Sequence, residues 1–413
     1  MMILGCLASM YAGLATRRRG GSARGRRKCK PRQRLEGYCM LYADYFADNP
    51  LHGESVFRRR FRMSRKLFLQ IVYAIRDFDP YFRCKADCTG LVGFSSLQKC
   101  TVAMRMLAYG APGDSADDYL RMAESTALDC FYRFCRAVIA VFGDFYLRSP
   151  TVEDTQRILA TNEARGFPGM LGSIDCMHWQ WKNCPFAWQG MYKGHKKGCT
   201  VILEAVATHD LWIWHSFFGM PGSNNDINVL NCSPVFSKLV EGHAPPVDYV
   251  INGRHYNKGY YLADGIYPKW ATFVKTISNP STPKLCEFVK KQEACRKDVE
   301  RAFGVLQQRF AVVRFPATTW SKDQMWEVMN CCVCLHNMII ENERKYPVPL
   351  AEQEAPYERE GPLAQPNHQV PPSWAAFIAM RQEIRDSTMH QLLQDDLVEH
   401  IWRLRGNANA DAN

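Results

Sequence analysis

The chain has 413 residues, 47% of them apolar, and a formal net charge of +11. That length leaves room for two or three domains, and that apolar content is ample for a real core. Ten lysines and arginines fall between Arg17 and Arg34 with no acid among them, so the body is near neutral and the positive excess belongs to a tail.

The first fifteen residues, MMILGCLASMYAGLA, are apolar, but the charge follows them instead of preceding them. That order is wrong for a secretory signal, and the run is shorter than the roughly 20 residues that span a bilayer. A transit peptide and a misplaced start both remain open. The basic run behind it reads as nuclear targeting or a nucleic-acid arm, with a solvated tail as the bland alternative. Seventeen cysteines, odd in number and irregularly spaced, argue for reduced intracellular thiols over a disulfide framework. The expected location is the nucleus, with no membrane association.

Residues 1–53 are read as a disordered basic tail and 54–160 as a helical domain. Ser64 suits an N-cap before Leu67, Leu69, Ile71, Val72 and Ile75, and Ser95 or Ser96 suits another before Val102, Met104 and Leu107. Gly110, Pro112 and Gly113 end that second helix. A short helix from Asp117 to Met122, then a longer one capped by Ser125, has helix-turn-helix spacing, although any packed helix pair looks alike.

The period changes at 169. LGSIDCMHWQW, TVILEAVATHD and LWIWHSFFGM read as a three-strand meander. A turn and helix start follow in PGSNNDINVL, then the strands VDYVING, GYYLAD and ATFVKTI. A helix from about 287 to 309 carries Val299, Phe303, Leu306 and Phe310 on one apolar stripe. Another apolar helix covers 322–343. This order of elements is that of an α/β fold of the RNase H-like kind, a mixed five-stranded sheet with flanking helices, expected over 161–343. In such a fold the first and fourth strands lie side by side. Residues 344–372 read as a proline-rich linker, and 373–405 as a helical tail, capped by Ser373, whose Leu392, Leu393, Leu397 and Ile401 could dock a partner or the body.

Three carboxylates then stand out: Asp175 in GMLGSIDCMHW, Asp264 in GYYLADGIYP and Glu300 in RKDVERAFGVLQQRF. Two leave apolar strands and the third lies on a basic amphipathic helix. If they converge, they suit holding divalent metal ions against a phosphodiester. Cleavage of that bond needs an activated water or hydroxyl, neutralised charge at phosphorus and a stabilised leaving alkoxide, and two metals about 3.5–4 Å apart supply all three. Carboxylates favour Mg²⁺ or Mn²⁺ over softer ions. Asp175 would bridge both ions, with Asp264 on one and Glu300 on the other. Without metal such a cluster repels itself, and at least one pKa should rise. Each acid also has a plainer reading. Asp264 suits capping an Asp-Gly turn, and Glu300 suits pairing with Arg296 or Lys297 on its own helix. Asp175 is the hardest to explain this way, because a carboxylate within that apolar run is costly if it lacks a partner.

The basic stretch Lys182, Lys193, His195, Lys196 and Lys197, between the first two strands, suits phosphate contacts that are salt-sensitive and blind to sequence. Arg296, Lys297 and Arg301 could serve likewise. His178 and Trp179 could touch substrate, and a satisfied structural histidine is the alternative for His178. Cys176 and His178 with Cys184 and Cys199 lack paired C-x2-C spacing, and Cys331, Cys332, Cys334 and His336 lie on an apolar helix where adjacent positions point in different directions, so structural zinc is not expected at either place.

The segments GMLGSIDCMHWQWKNCP, GSNNDINVLN, YYLADGIYPKWATFVKTI, RKDVERAFGVLQQRF and CLHNMIIE resemble those of PIF/Harbinger transposases and the host genes derived from them, plant copies in particular. The resemblance runs from about Phe57 to Glu343 and recurs in the helical tail. It implies a DDE endonuclease with an RNase H-like core, carries the catalytic and metal-binding triad onto Asp175, Asp264 and Glu300, and adds Asp226 as an alternative ligand. It also implies Mg²⁺ or Mn²⁺ as cofactor, DNA as substrate, and a separate Myb-like protein that reads the DNA; oligomerisation is left open. The competing expectation is a catalytically silent, domesticated relative that acts as a nuclear chromatin or transcription adaptor.

Overall fold

The computed structural model describes residues 32–241, 244–345 and 374–410. The chain divides into two compact units, Met1–Val141 with Phe310–Val312, and Phe142–Arg309 with Val313–Asn413. The basic run up to 31 and the proline-rich stretch 346–373, with its Ser373 cap, lie outside the described residues. No helix among the described residues is long and apolar enough to cross a membrane.

The first unit is helical. Helix α1 (Arg34–Tyr45) corrects the expectation of a disordered tail to residue 53, and its buried Tyr38, Leu41 and Tyr45 recur at the spacing of one helix face. Arg32 pairs with Asp117 and Arg34 donates to the Val92 carbonyl, so the last two cations of the basic run belong to the fold. Helices α2 (Glu54–Phe61) and α3 (Arg65–Phe78) bring Phe57, Phe61 and Phe68 together with Tyr45; the Phe57 and Phe61 rings stack at 4.1 Å. Ser64 caps α3 through the Leu67 N–H. Ser95, not Ser96, caps α4 (Ser96–Tyr109) in a capping box with Gln98, and Gly110 ends it in the left-handed region. The helix-turn-helix spacing resolves into α5 (Ala116–Leu120) and α6 (Glu124–Tyr146). Ser125 therefore lies inside α6, whose first bond runs from the Ala127 N–H to the Ala123 carbonyl.

The second unit is α/β. After α7 (Val152–Ala164) come β1 (Met170–Gln180), β2 (Thr200–Ala207) and β3 (Ile213–Pro221), the antiparallel meander read from the sequence. Helix α8 (Asp226–Cys232) follows, capped by Asn225. Strands β4 (Tyr249–Ile251) and β5 (Arg254–Tyr256) form a separate hairpin about Asn252-Gly253, both at positive φ as a tight hairpin turn requires. Strands β6 (Tyr260–Ala263) and β7 (Phe273–Lys275) complete a mixed five-stranded sheet of order β3-β2-β1-β6-β7, with β1 parallel to β6.

Helix α9 (Pro283–Arg309) covers one face of the sheet. Its Val299 N–H is bonded by the Ser173 hydroxyl oxygen of β1, and its Gln292 amide donates to the Ala263 and Val274 carbonyls of β6 and β7. The other face packs Ile174, Val206 and Phe273 against Leu230 of α8. Helix α10 (Lys322–Lys345) ties to β3 through Asn337, whose side chain pairs with both backbone groups of Ile213. The expected single tail helix is two, α11 (Trp374–Ile384) and α12 (Ser387–Ala410), because the Asp386 carboxylate takes the Thr388 and Met389 N–H groups and starts a new helix. Leu393, Leu397 and Ile401 of α12 are buried in the same cluster as Leu262, Phe288 and Cys295, so the tail docks on this unit itself.

Candidate active site

The strand register brings Asp175 and Asp264 together. Ser173 of β1 faces Leu262 of β6 in a parallel pairing, so two residues further along both chains Asp175 is level with Asp264. Side chains alternate across a strand, which puts Asp175 on the same face as Ser173, under α9. Two turns of that helix stand above it. Arg296 Nη1 lies 3.9 Å from Asp175 Oδ2 and 2.6 Å from Glu300 Oε1. One guanidinium nitrogen thus touches both acids, and the two carboxylates lie within the sum of those distances of each other. Arg296 and Asp175 are mostly buried, whereas the Glu300 side chain is 42% exposed.

Both plain readings hold locally. Asp264 Oδ1 accepts the Ile266 N–H at 2.9 Å in its Asp-Gly turn, and Glu300 pairs with Arg296 one turn back. Neither arrangement displaces the acids from the cluster. Asp175 Oδ1 accepts the Cys176 N–H at 2.8 Å. Its pKa is nonetheless pushed up to about 6, first by burial and then by the charges of Asp226 and Asp264, against the opposing pull of Cys176 and Arg296. Asp226, the first residue of α8, is raised as well, by burial and then by Asp264, against the opposing pull of Cys176 and His195. Asp175, Asp226 and Asp264 therefore form one field of mutually repelling carboxylates, with Glu300 joined to it through Arg296.

One acid of this neighbourhood went unread in the sequence. Glu204 stands opposite Cys176 in the β1–β2 pairing, on the sheet face away from Arg296, and is fully buried. Its Oε1 accepts from Ser233 and lies 3.2 Å from His215 Nε2, while Oε2 is buried without a partner. The signal was present: Glu204 is the sole charge in the apolar run TVILEAVA, and a buried carboxylate demands partners.

The flanking groups separate into two kinds. Arg301 is tied to Asp298 at 2.7 Å and to the His209 carbonyl at 3.2 Å, which commits it to holding the fold. Lys297 is exposed on α9, and Lys182, Lys193, Lys196 and Lys197 are exposed on the insertion between β1 and β2. His178 shares a bond with the Thr200 hydroxyl at 2.9 Å and meets the His195 ring at 5.0 Å. Burial, then His195 and Lys196, press its pKa down to about 4, so it is neutral near pH 7. His336, within the Cys331–Cys334 cluster, bonds to the Leu211 carbonyl at 2.8 Å.

The donors near Asp175 are carboxylate oxygens, which suit a hard divalent ion, and the raised pKa values of Asp175 and Asp226 mark an excess of negative charge that a cation would relieve. Among the described residues, however, no three His, Cys, Asp or Glu side chains are already grouped to hold a metal ion. The acids fit such an ion in the chemistry of their oxygens, and Arg296 is the cation that stands between Asp175 and Glu300.

A family model described as plant transposon protein matches residues 144–347, a span that contains Asp175, Asp226, Asp264 and Glu300. A second, described as a domain of unknown function (DUF8418), matches residues 37–76 in the first unit. No curated protein and no solved structure matches the chain. Over the longer span the chain is similar to plant transposon proteins.

Proposed function

We propose that the second unit is the RNase H-like core of a PIF/Harbinger-type DDE endonuclease that cuts phosphodiester bonds in DNA. The observation that carries this reading is the register that puts Asp175 and Asp264 level on adjacent parallel strands, with Glu300 linked to Asp175 through Arg296. Mg²⁺ or Mn²⁺ bound there would supply the Lewis acidity and activated water that the cleavage needs. Asp175, the one on the central strand of the sheet, is the ligand suited to bridging; Asp264 and Glu300 would each take one ion. Asp226 approaches from the opposite face of the sheet and suits an additional or alternative ligand. In the absence of cations Arg296 neutralises part of the cluster, and once displaced its guanidinium is available to a phosphate oxygen. Lys297 on α9 is exposed beside it for the DNA backbone. A nuclear location and a Myb-like partner that supplies sequence recognition complete the reading.

The Arg296 bridge also favours a second reading. A cluster kept closed by its own cation suits a protein that kept the fold and lost the chemistry, acting as a chromatin or transcription adaptor. A nicking assay separates the two, using this protein with a Myb-like partner, supercoiled DNA bearing an element end, and Mn²⁺ or EDTA. The endonuclease reading expects cation-dependent nicks that Asp264→Ala abolishes. Cleavage surviving in Asp264→Ala would remove that residue from the mechanism, and the absence of cutting by the parent chain would favour the adaptor.

A further inference from the structure

The insertion between β1 and β2 combines four features that the catalytic reading does not use. From Cys176 to Cys199 the chain holds Lys182, Lys193, Lys196 and Lys197 and no Asp or Glu. All four lysines are exposed. Large apolar side chains stand exposed beside them: Phe186 at 89%, Met191 at 56% and Trp188 at 44%. The same insertion holds a cavity of about 330 Å³ whose lining includes Trp181, Gln180, Gln189, Lys182 and Lys193. The ring of Trp188 stands 6.0 Å from that of Trp181, which meets Tyr192 at 5.0 Å.

The insertion is tied down at its start by the segment that follows α9. The Trp181 indole N–H donates to the Thr319 carbonyl at 2.8 Å, the Lys182 N–H to Ala317 at 2.9 Å and the Trp181 N–H to Cys199 at 2.8 Å. At its far end a Cβ on Gly194 would overlap the Gly222 carbonyl, so the insertion lies directly against the turn that leads into α8. His195 reaches back to the ring of His178 on β1. A fixed aromatic and cationic surface therefore extends from the strand that bears Asp175.

We infer that this insertion is a binding site for unpaired nucleotides of DNA, with Phe186 and Trp188 stacking on bases, the cavity under Trp181 receiving one base, and the lysines holding the flanking phosphates. The chemistry selects this ligand. Aromatic faces take any base by stacking and lysines track the backbone, a pairing that recurs where single strands are bound. The volume, at the low end of small-molecule sites, suits a single base, and the Gln180 and Gln189 amides can meet its edge. An acid-free lining with two lysines disfavours an acceptor of cations. The inference deepens the reading of the chain as a DNA-acting enzyme and rests on it for the choice of DNA.

The test is fluorescence anisotropy of labelled oligothymidylate and of a blunt duplex of equal length, titrated with the full chain in EDTA at several salt concentrations. The parent is compared with Phe186→Ala/Trp188→Ala and with Lys182→Gln/Lys193→Gln. The N-terminal basic run is common to all three, so its contribution cancels. The aromatic variant should lose about 5- to 150-fold in single-strand affinity for each base it no longer stacks, with duplex affinity and salt slope unchanged. The lysine variant should flatten the single-strand salt slope by about 0.7 for each phosphate it no longer neutralises. Single-strand affinity unchanged in the aromatic variant, with both proteins melting alike, overturns the inference. So does a clear preference of the parent for an RNA oligomer of the same sequence. Binding without cations is independent of nicking. A chain that binds but never cuts sinks only the catalytic reading, and one that cuts with the aromatic variant binding normally sinks only this one.

Discussion

Asp175→Asn is expected to abolish cation-dependent nicking, by at least about 10³-fold, and at the same time to make the metal-free protein more stable. The first effect follows from removing the central charge of the cluster. The second follows from the folded-state pKa of Asp175, raised from 3.8 to about 6 by burial and by Asp226 and Asp264. A carboxyl raised on folding holds its proton more tightly in the native state than in the unfolded chain. Its stabilising contribution is therefore complete below the unfolded pKa and is lost as pH rises through about 6. Asparagine does not titrate. The variant should match the parent near pH 4 and exceed it by about 2–3 kcal/mol above pH 7, since each pKa unit is worth about 1.4 kcal/mol. Urea denaturation in EDTA at both ends of that range measures the difference. A variant less stable than the parent at pH 7 would mean that Asp175 is a structural anchor. Gain of stability on loss of function is the mark of an acid held for chemistry.

Asp298→Ala should do the reverse. This carboxylate is 2% exposed, bonded by Arg165 and Arg301 at 2.7 Å each, and faced by His209 at 3.6 Å. Arg165 also donates to Asn162, whose amide holds the Met170 carbonyl at the start of β1. One buried acid thus ties α7, β1 and α9 together. Removing it leaves the mostly buried Arg165 without its countercharge and frees the half-exposed Arg301, a loss of about 3 kcal/mol, the low end for a broken buried pair, in the urea midpoint analysis. Nicking measured well below the transition should survive. A loss under about 1 kcal/mol, or inactivity in a fully folded variant, would contradict this division of labour between Asp175 on β1 and Asp298 on α9.

Much of this was legible in the residues because the signals are local. Alternating apolar runs marked the meander, serines marked the caps of α3 and α4, and the change of period at 169 marked where the sheet begins. The adjacency of β1 and β6, read from the order of elements, placed Asp175 beside Asp264. What escaped depends on packing or on context. Helix α1 was hidden by the basic run that leads into it, although Tyr38, Leu41 and Tyr45 share one face. The β4–β5 hairpin was missed because VDYVING alone reads as a strand, and the Asn252-Gly253 turn signal at its end went unused. Pairing of Glu300 with Arg296 was readable from their spacing. That the same nitrogen also reaches Asp175 depends on how α9 crosses the sheet, which no local pattern encodes. Glu204 is the sharpest omission, since a lone acid in an apolar strand is the same signal that singles out Asp175.

The central claim, that these carboxylates close on divalent cations, is tested most directly by calorimetric titration of Mn²⁺ into the metal-free chain and into Asp264→Ala. The account predicts binding to the parent at or below the millimolar range, lost in Asp264→Ala while its melting temperature stays close to that of the parent. No heat with the parent at millimolar Mn²⁺, or equal binding by the two proteins, would contradict it.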